Sequence, residues 1–113
     1  IYGIKAPPLS MYADIQGVPQ PPLGYSATKS GMIGLTRHLA VVMAPKFRVN
    51  CLIPGGLERG QPAEFIRRYS ERTPLGRMGT ERDLAGSVAF LASPASEYVS
   101  GAILTCDGGF TVW

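Results

Sequence analysis

Apolar side chains recur at every third or fourth position in two parts of the chain, and this spacing predicts two amphipathic helices. The first predicted helix covers residues 25–44 and stops before Pro45. The second starts at Thr80, a good N-cap residue, and stops before Pro94. A shorter amphipathic helix is predicted at residues 61–72. The apolar stripes of the two longer helices are formed by Met32, Leu35, Leu39 and Val42 and by Leu84, Val88 and Leu91.

Two short apolar runs predict strands that are buried on both faces, which is the pattern of a parallel sheet. They cover residues 47–53 and 101–106, and a pair of glycines follows each run closely. A helix that leads directly into such a strand is half of a β–α–β unit. The order helix, strand, helix, helix, strand over residues 25–113 therefore predicts an α/β fold.

Residues 1–24 contain five prolines and three glycines, a density of helix breakers that predicts an extended loop. Apolar and aromatic side chains are spaced through this segment, and they favour a loop that touches a substrate or a partner. A plain surface connection is the alternative. The apolar residues in question are Met11, Tyr12, Ile15 and Val18.

The composition, 45% hydrophobic and 17% charged, is that of one small globular domain, and the net charge of +3 comes from scattered residues. Without a clustered basic patch the chain gives no indication of nucleic-acid binding. No apolar run approaches the roughly 20 residues of a membrane-spanning helix. Cys51 and Cys106 lack metal-ligand spacing, which favours reduced, buried thiols in a cytoplasmic protein. His38 has no second ligand in register, so no metal site is predicted.

Tyr25 and Lys29 stand four residues apart at the start of the first predicted helix. This separation is a little over one turn, so both side chains leave the same face, with Cβ atoms roughly 5–6 Å apart. A nearby ammonium group favours phenolate and lowers the pKa of a tyrosine from its usual value of about 10. Tyr25 is therefore a candidate acid or base for the oxygen of a carbonyl/alcohol pair, although helices offer such spacing by chance as well.

The segment Pro54-Gly55-Gly56 follows the first predicted strand. Ligands of open α/β sheets collect at the carboxyl ends of strands, and glycines let the backbone approach a flat ligand closely. A simple tight turn explains the same residues, and without other motifs it is the better explanation.

Several motifs, taken in their order and spacing, resemble the C-terminal half of a short-chain dehydrogenase/reductase, and the resemblance spans residues 25–110. It implies a Rossmann-type, doubly wound parallel sheet of which this chain holds the C-terminal portion only. The motifs are Tyr25-Ser-Ala-Thr-Lys29-Ser-Gly31, Arg48-Val-Asn-Cys-Leu-Ile-Pro54-Gly55, Pro74-Leu-Gly-Arg-Met-Gly79, Phe90-Leu-Ala-Ser93, Gly101 and Asp107-Gly-Gly109.

The resemblance also implies an activity: a carbonyl and a secondary alcohol are interconverted by hydride transfer with NAD or NADP. Tyr25 would be the catalytic acid/base. Lys29 would hold the hydroxyls of the nicotinamide ribose and keep the pKa of Tyr25 low. Pro54 and Gly55 would pack on the nicotinamide side of the cofactor.

Three parts of the family pattern are missing from the chain. The glycine-rich phosphate loop belongs to the family's N-terminal half, and residues 57–60 lack the threonine that often follows the Pro-Gly motif. Because the first three residues resemble the sequence just after the serine-bearing strand, the catalytic serine is expected before Ile1, with Ser10 as the candidate inside the chain. The long proline-rich segment resembles short-chain reductases of bacterial surface-sugar and flagellin modification, which points to a sugar-like substrate.

Two functional interpretations remain open. The first is a piece of an active enzyme that is inactive alone and forms a homotetramer or homodimer, since this family commonly assembles through the helix that carries Tyr25 and Lys29 and through its last helix and strand. The second is a non-catalytic, reductase-like scaffold. Retention of both Tyr25 and Lys29 favours the enzyme, because a scaffold does not need that pair.

Overall fold

The computed structural model describes all residues, 1–113, and contains three α-helices and two β-strands. Two short 3-10 helices complete the regular structure. None of the α-helices combines the length and the hydropathy that a membrane-spanning segment needs. In chain order the α-helices and strands are α1 (Leu23–Val42), β1 (Cys51–Pro54), α2 (Ala63–Glu71), α3 (Glu81–Ala92) and β2 (Ile103–Cys106), and the 3-10 helices are Leu9–Met11 and Pro94–Ser96.

The two strands pair in parallel, in a register that sets Cys51 opposite Ile103. α2 and α3 lie between the strands in the chain, so they form the crossover connection that parallel pairing requires. Just before β1, the Asn50 side chain donates a hydrogen bond to the Val99 carbonyl oxygen and accepts one from the Ala102 N–H, each at 3.0 Å. These two bonds extend the ladder beyond the paired residues and fix its register.

Side chains hold α3 at both of its ends. At the N-terminus the carboxylate of Asp83 accepts hydrogen bonds from the N–H and the hydroxyl of Thr80, at 2.7 and 2.8 Å, and the predicted start of this helix is confirmed. At the other end the Arg48 guanidinium donates to the carbonyl oxygens of Leu91 at 2.9 Å and Val99 at 3.1 Å. Carbonyl groups in a last helical turn lack partners within the helix, so Arg48 ties the end of α3 to the start of β1.

The core of the chain is a cluster of six buried side chains, four aromatic residues and two methionines, which come from distant parts of the sequence. It draws on the first loop, on α2 and on the segments after α2 and β2. Ile53, on β1, is the seventh buried apolar residue and lies outside this cluster. The members of the cluster are Tyr2, Met11, Phe65, Tyr69, Met78 and Phe110.

The first segment differs from the extended loop that the prolines predict. Residues 1–22 fold into turns and a 3-10 helix, and α1 begins at Leu23, directly after Pro22 and two residues before the predicted start. Met11 has no exposed surface, and Ile15 and Val18 pack against the core cluster. Burial of these apolar side chains stabilises the segment, so most of them serve the core rather than a ligand.

The prediction of strands buried on both faces is wrong for this chain. Ile53 is the only buried strand residue, and α1 buries only Thr36. Met32 and Leu35, from the apolar stripe of α1, are 48% and 47% exposed. A strand or helix buries a face only where another layer covers it, and two strands with three helices supply too few layers to cover these faces.

Candidate active site

A cavity of about 380 Å³ opens at the carboxyl end of β1. Its walls come from the first loop, α1, β1 with the turn after it, and α2, and they are mostly apolar. All four residues predicted for the site, Tyr25, Lys29, Pro54 and Gly55, line this cavity. The fold thus brings together two parts of the sequence that lie about 25 residues apart.

Tyr25 and Lys29 lie in the first two turns of α1 and face the same cavity. The Lys29 Nζ atom is 5.3 Å from the centre of the Tyr25 ring, and Lys29 takes part in none of the ion pairs of the chain. Tyr25 is 43% exposed, and its ring meets the Tyr2 ring edge-on at 6.4 Å between centroids. The site therefore combines an accessible phenol with a free ammonium group.

A close backbone contact positions this part of α1. A Cβ atom on Gly3 would lie 2.7 Å from the carbonyl carbon and oxygen of Lys29, so only glycine fits here without a backbone shift. The Ser30 hydroxyl donates a hydrogen bond to the Gly3 carbonyl oxygen at 3.0 Å. The first loop is thereby fixed against the turn of α1 that carries Lys29.

The turn after β1 is packed against the turn after β2. The Gly55 N–H donates to the Cys106 carbonyl oxygen at 2.9 Å, and a Cβ atom on Gly55 would lie 2.8 Å from the Cα of Asp107. A Cβ on Gly56 would lie 2.7 Å from the Tyr69 ring. Packing within the protein therefore requires glycine at both positions, and both glycines also line the cavity.

Asp107 holds the second of these turns. Its carboxylate accepts hydrogen bonds from the Gly109 N–H at 2.9 Å and from the N–H and hydroxyl of Thr111 at 2.9 and 2.6 Å. Partial burial pushes the pKa of this carboxyl up, but the hydrogen bonds outweigh burial and leave its pKa below the usual value. The charged form of Asp107 thus stabilises the structure beside Gly55.

Three further tyrosines line the cavity with Tyr25, namely Tyr2, Tyr12 and Tyr69. Sequence reasoning gave Tyr2 and Tyr69 no role in the site and mentioned Tyr12 only as a loop residue. The hydroxyls of Tyr2 and Tyr12 are hydrogen-bonded to each other at 2.6 Å. Burial raises the pKa of both residues. Burial also raises the pKa of Tyr69 to about 12, against a smaller opposing effect of the hydrogen bond that its oxygen accepts from the Gly56 N–H. All three are neutral phenols near pH 7.

Of the other residues considered from the sequence, Cys51 also lines this cavity, whereas Ser10 and Cys106 do not. Ser10 is exposed, does not line the cavity, and accepts a hydrogen bond from the Arg72 guanidinium at 3.0 Å. Cys51 and Cys106 are free thiols, partly exposed instead of buried as predicted, because the strands that carry them are only partly covered. No group of three or more His, Cys, Asp or Glu side chains is arranged to hold a metal ion.

Comparison with known proteins decides the family. The sequence model described as "Enoyl-(Acyl carrier protein) reductase" matches residues 8–111. A short chain dehydrogenase from Leptospira borgpetersenii serovar Hardjo-bovis, crystallised with bound NAD+, is 45% identical with a TM-score of 0.88, over 97% of this chain and 41% of that one. The chain belongs to the short-chain dehydrogenase/reductase family. The predicted fold class, an incomplete Rossmann-type α/β sheet, is confirmed by this likeness.

Other members of the short-chain dehydrogenase/reductase family are similar over most of the chain. Gluconate 5-dehydrogenase from Burkholderia cenocepacia J2315, in complex with NADP and tartrate, is 34% identical with a TM-score of 0.76, over 86% of this chain and 41% of that one. Galactitol 2-dehydrogenase (L-tagatose-forming) from Cereibacter sphaeroides is 41% identical, over 92% of this chain and 44% of the relative. The chain thus spans less than half the length of these relatives.

Proposed function

We propose that this chain is the C-terminal part of an oxidoreductase that interconverts a carbonyl and a secondary alcohol by hydride transfer with NAD or NADP. Tyr25 is the catalytic acid/base and Lys29 is its cationic partner. The observation that carries the proposal is that both residues share one cavity with the Pro54-Gly55 turn at the carboxyl end of β1. The family relationship and the NAD+ and NADP bound to two relatives support it.

In this mechanism Tyr25 gives a proton to the carbonyl oxygen during reduction and takes it back from the alcohol during oxidation. Its exposure allows a substrate in the cavity to reach it. The ammonium group of Lys29 favours the phenolate that is left when the proton has moved. Because Lys29 forms no ion pair within the chain, its charge is not already neutralised.

The residues present fit the nicotinamide end of such a cofactor. Lys29 is a cation free to bind ribose hydroxyls, and Pro54 is exposed at a mostly apolar wall that suits a flat ring. The chemistry that the cofactor supplies is hydride transfer, while the protein orients the reactants. We propose that the residues that bind the cofactor's phosphates, and that choose between NAD and NADP, lie outside this chain.

The catalytic serine is proposed to precede Ile1, in the full protein. Ile1, Tyr2 and Gly3 all line the cavity beside Tyr25, so a residue joined to Ile1 lies at the same site. Ser10 is less suited, because it lies outside the cavity and its hydroxyl already binds Arg72.

The assembly and location of the protein are part of the same proposal. Exposed apolar side chains outside the predicted core stripes of α1 and α3, such as Val41 at 78% and Phe90 at 42%, support a homo-oligomer, a dimer or a tetramer, in the complete protein. The two free thiols support a cytoplasmic location. Residues 1–113 alone are proposed to be inactive, because two strands cannot hold a dinucleotide, and reduction of a carbonyl by this segment would contradict that.

The proposal is tested with Tyr25→Phe in the complete protein. Turnover is expected to fall at least about 100-fold, because the proton donor is lost, while the affinity for the cofactor changes little. Oxidation of NADH and NADPH with keto-sugars and 3-oxoacyl thioesters measures the first quantity, and a fluorescence titration of the cofactor measures the second. The matched control is Tyr98→Phe, since Tyr98 is fully exposed. Rates like those of the wild type in Tyr25→Phe would remove Tyr25 from the mechanism.

A further inference from the structure

We propose that the hydrogen-bonded hydroxyls of Tyr2 and Tyr12 bind a second hydroxyl group of the substrate and give the site a preference for polyhydroxylated substrates over alcohols with a single hydroxyl. The inference rests on the proposed function, because Tyr25 marks where the reacting oxygen binds. It assigns a specificity role to two residues of the first loop.

The two tyrosines lie next to the proposed acid/base in the same cavity. The Tyr2 ring packs edge-on against the Tyr25 ring, with centroids 6.4 Å apart at an interplanar angle of 70°. The Tyr12 ring packs edge-on against the Tyr2 ring, with their centroids 6.4 Å apart. A substrate whose reacting oxygen lies at Tyr25, and which extends along the side of the cavity formed by Tyr2 and Tyr12, therefore passes the hydroxyls of this pair.

The pair has hydrogen-bonding capacity to spare. A hydroxyl has one hydrogen to donate and two lone pairs to accept with. The contact of 2.6 Å between the two hydroxyls uses one hydrogen and one lone pair, so one hydrogen and several lone pairs are left over. Burial raises the pKa of both residues, which keeps that hydrogen in place at neutral pH. The pair can thus donate to one substrate oxygen and accept from its hydrogen.

Other polar groups of the cavity wall are more fully engaged with the protein. The side-chain amide of Gln61 donates to the Leu57 carbonyl oxygen and accepts from the Arg59 N–H, at 2.8 and 2.7 Å. The Tyr69 hydroxyl accepts from the Gly56 N–H, and Tyr69 is only 3% exposed. Tyr12, which is partly exposed, is consequently the accessible hydroxyl beside Tyr25.

This arrangement discriminates against a substrate without a second hydroxyl. An apolar substrate that covers the pair shields the spare hydrogen from water and offers it no acceptor, and an unmade buried hydrogen bond is costly. A polyol or a sugar supplies both an acceptor and a donor at this point. The chemical class of substrate is therefore a chain or ring of carbons that bears hydroxyls next to the reacting one.

The experiment measures kcat and KM of the complete protein, with NAD+ and with NADP+, for two sets of alcohols. One set contains pentitols and hexitols, galactitol among them, and the other contains alcohols with one hydroxyl, such as cyclohexanol. We expect the best polyol to exceed the best single-hydroxyl alcohol in kcat/KM. In Tyr12→Phe that preference is expected to fall about threefold to tenfold, through the KM of the polyol, because one hydrogen bond is lost.

The ratio of the two kcat/KM values does not depend on how much enzyme is folded, so it separates specificity from stability. Tyr98→Phe, the exposed control, is expected to keep the ratio of the wild type. A lower melting temperature in Tyr12→Phe with an unchanged ratio would overturn the inference in favour of a packing role. Preference of the wild type for single-hydroxyl alcohols would overturn it and leave the proposed function standing. Absence of turnover with both sets and with their carbonyl products would overturn the proposed function and this inference together.

Discussion

The ammonium nitrogen of Lys29 lies 5.3 Å from the centre of the Tyr25 ring, one helical turn away on the same face of α1. The charge lies within the distance at which a cation and an aromatic ring attract each other. Both side chains also face the cavity at the end of β1. This relationship makes Lys29 the residue whose removal most directly tests how the pair works.

Lys29→Met keeps a long, flexible side chain and removes the charge. In the complete protein, kcat/KM is expected to fall at least about 10-fold and the KM of the cofactor to rise, because no cation at this position would then favour the phenolate of Tyr25 or bind the ribose. Steady-state kinetics with NADH and NADPH measure both effects. The matched control is Lys46→Met, since Lys46 lies in an exposed segment after α1. Equal effects of the two substitutions would show that the charge of Lys29 has no special role.

Gly55→Ala tests whether the turn after β1 is limited by packing. The new Cβ would meet the Cα of Asp107 at 2.8 Å, and because this neighbour is backbone, we expect a loss of about 1–3 kcal/mol in the free energy of unfolding. Urea titration of the complete protein measures it. In α3, Gly86 has open space around its missing side chain, so Gly86→Ala is expected to stabilise the helix by about 0.8–1 kcal/mol. A neutral effect of Gly55→Ala would mean that the two turns separate without cost.

Arg48→Met tests the structural role of an arginine that belongs to one of the family's motifs. Its guanidinium donates to the Leu91 and Val99 carbonyl oxygens, and loss of these charged hydrogen bonds is expected to cost about 1.5–3 kcal/mol in stability. The KM of the cofactor should stay as in the wild type, because Arg48 does not line the cavity. Thermal unfolding and kinetics measure the two quantities, with Arg37→Met, on the exposed face of α1, as the control. A raised cofactor KM without a loss of stability would assign Arg48 to the site instead.

Asp107→Asn is expected to weaken stability in a way that depends on pH. The pKa of the Asp107 carboxyl is lower in the folded protein than in the unfolded chain, because hydrogen bonds from Thr111 and Gly109 outweigh partial burial. The charged Asp107 side chain therefore contributes its full stabilisation at pH values above its usual pKa of about 3.8. This stabilisation is lost as the pH falls through the lower pKa of the folded protein.

Melting temperatures of the complete protein and of Asp107→Asn, measured between pH 7 and pH 3, check this expectation. At pH 7 the substitution should lower the free energy of unfolding by about 1 kcal/mol. This is less than for a buried charge, because water reaches the carboxylate. The difference between the two proteins should shrink at the acid end. A constant difference over the whole range would mean that the charge of Asp107 does not contribute.

Local patterns were sufficient to predict the three α-helices, the two strands and their order, but not the 3-10 helices. The periodicity around Leu84 and the capping residue Thr80 predicted α3, and the structure has its N-terminus at that residue. The glycines after each strand indicated where β1 and β2 end. These features depend on neighbours within a few residues, so they can be read from the sequence directly. The bounds of β1 were less well predicted, because pairing with β2 begins only at Cys51.

The aromatic wall of the site could not be predicted in the same way. Tyr2, Tyr12 and Tyr69 come from two segments about 60 residues apart, and no periodicity links them. Their common position results from the packing of the first loop on α2, which is a long-range property of the fold. The family resemblance named Tyr25 and Lys29 but gave no indication of this wall.

The tight fit between Gly3 and the Lys29 backbone limits how this protein can change its substrate range. Because the loop and the helix touch there through main-chain atoms, a larger side chain at position 3 is expected to displace Tyr2 and the helix that carries Tyr25 at the same time. Tyr12, by contrast, lines the cavity and is partly exposed. Directed evolution of new specificity should therefore vary position 12 and keep position 3 as it is.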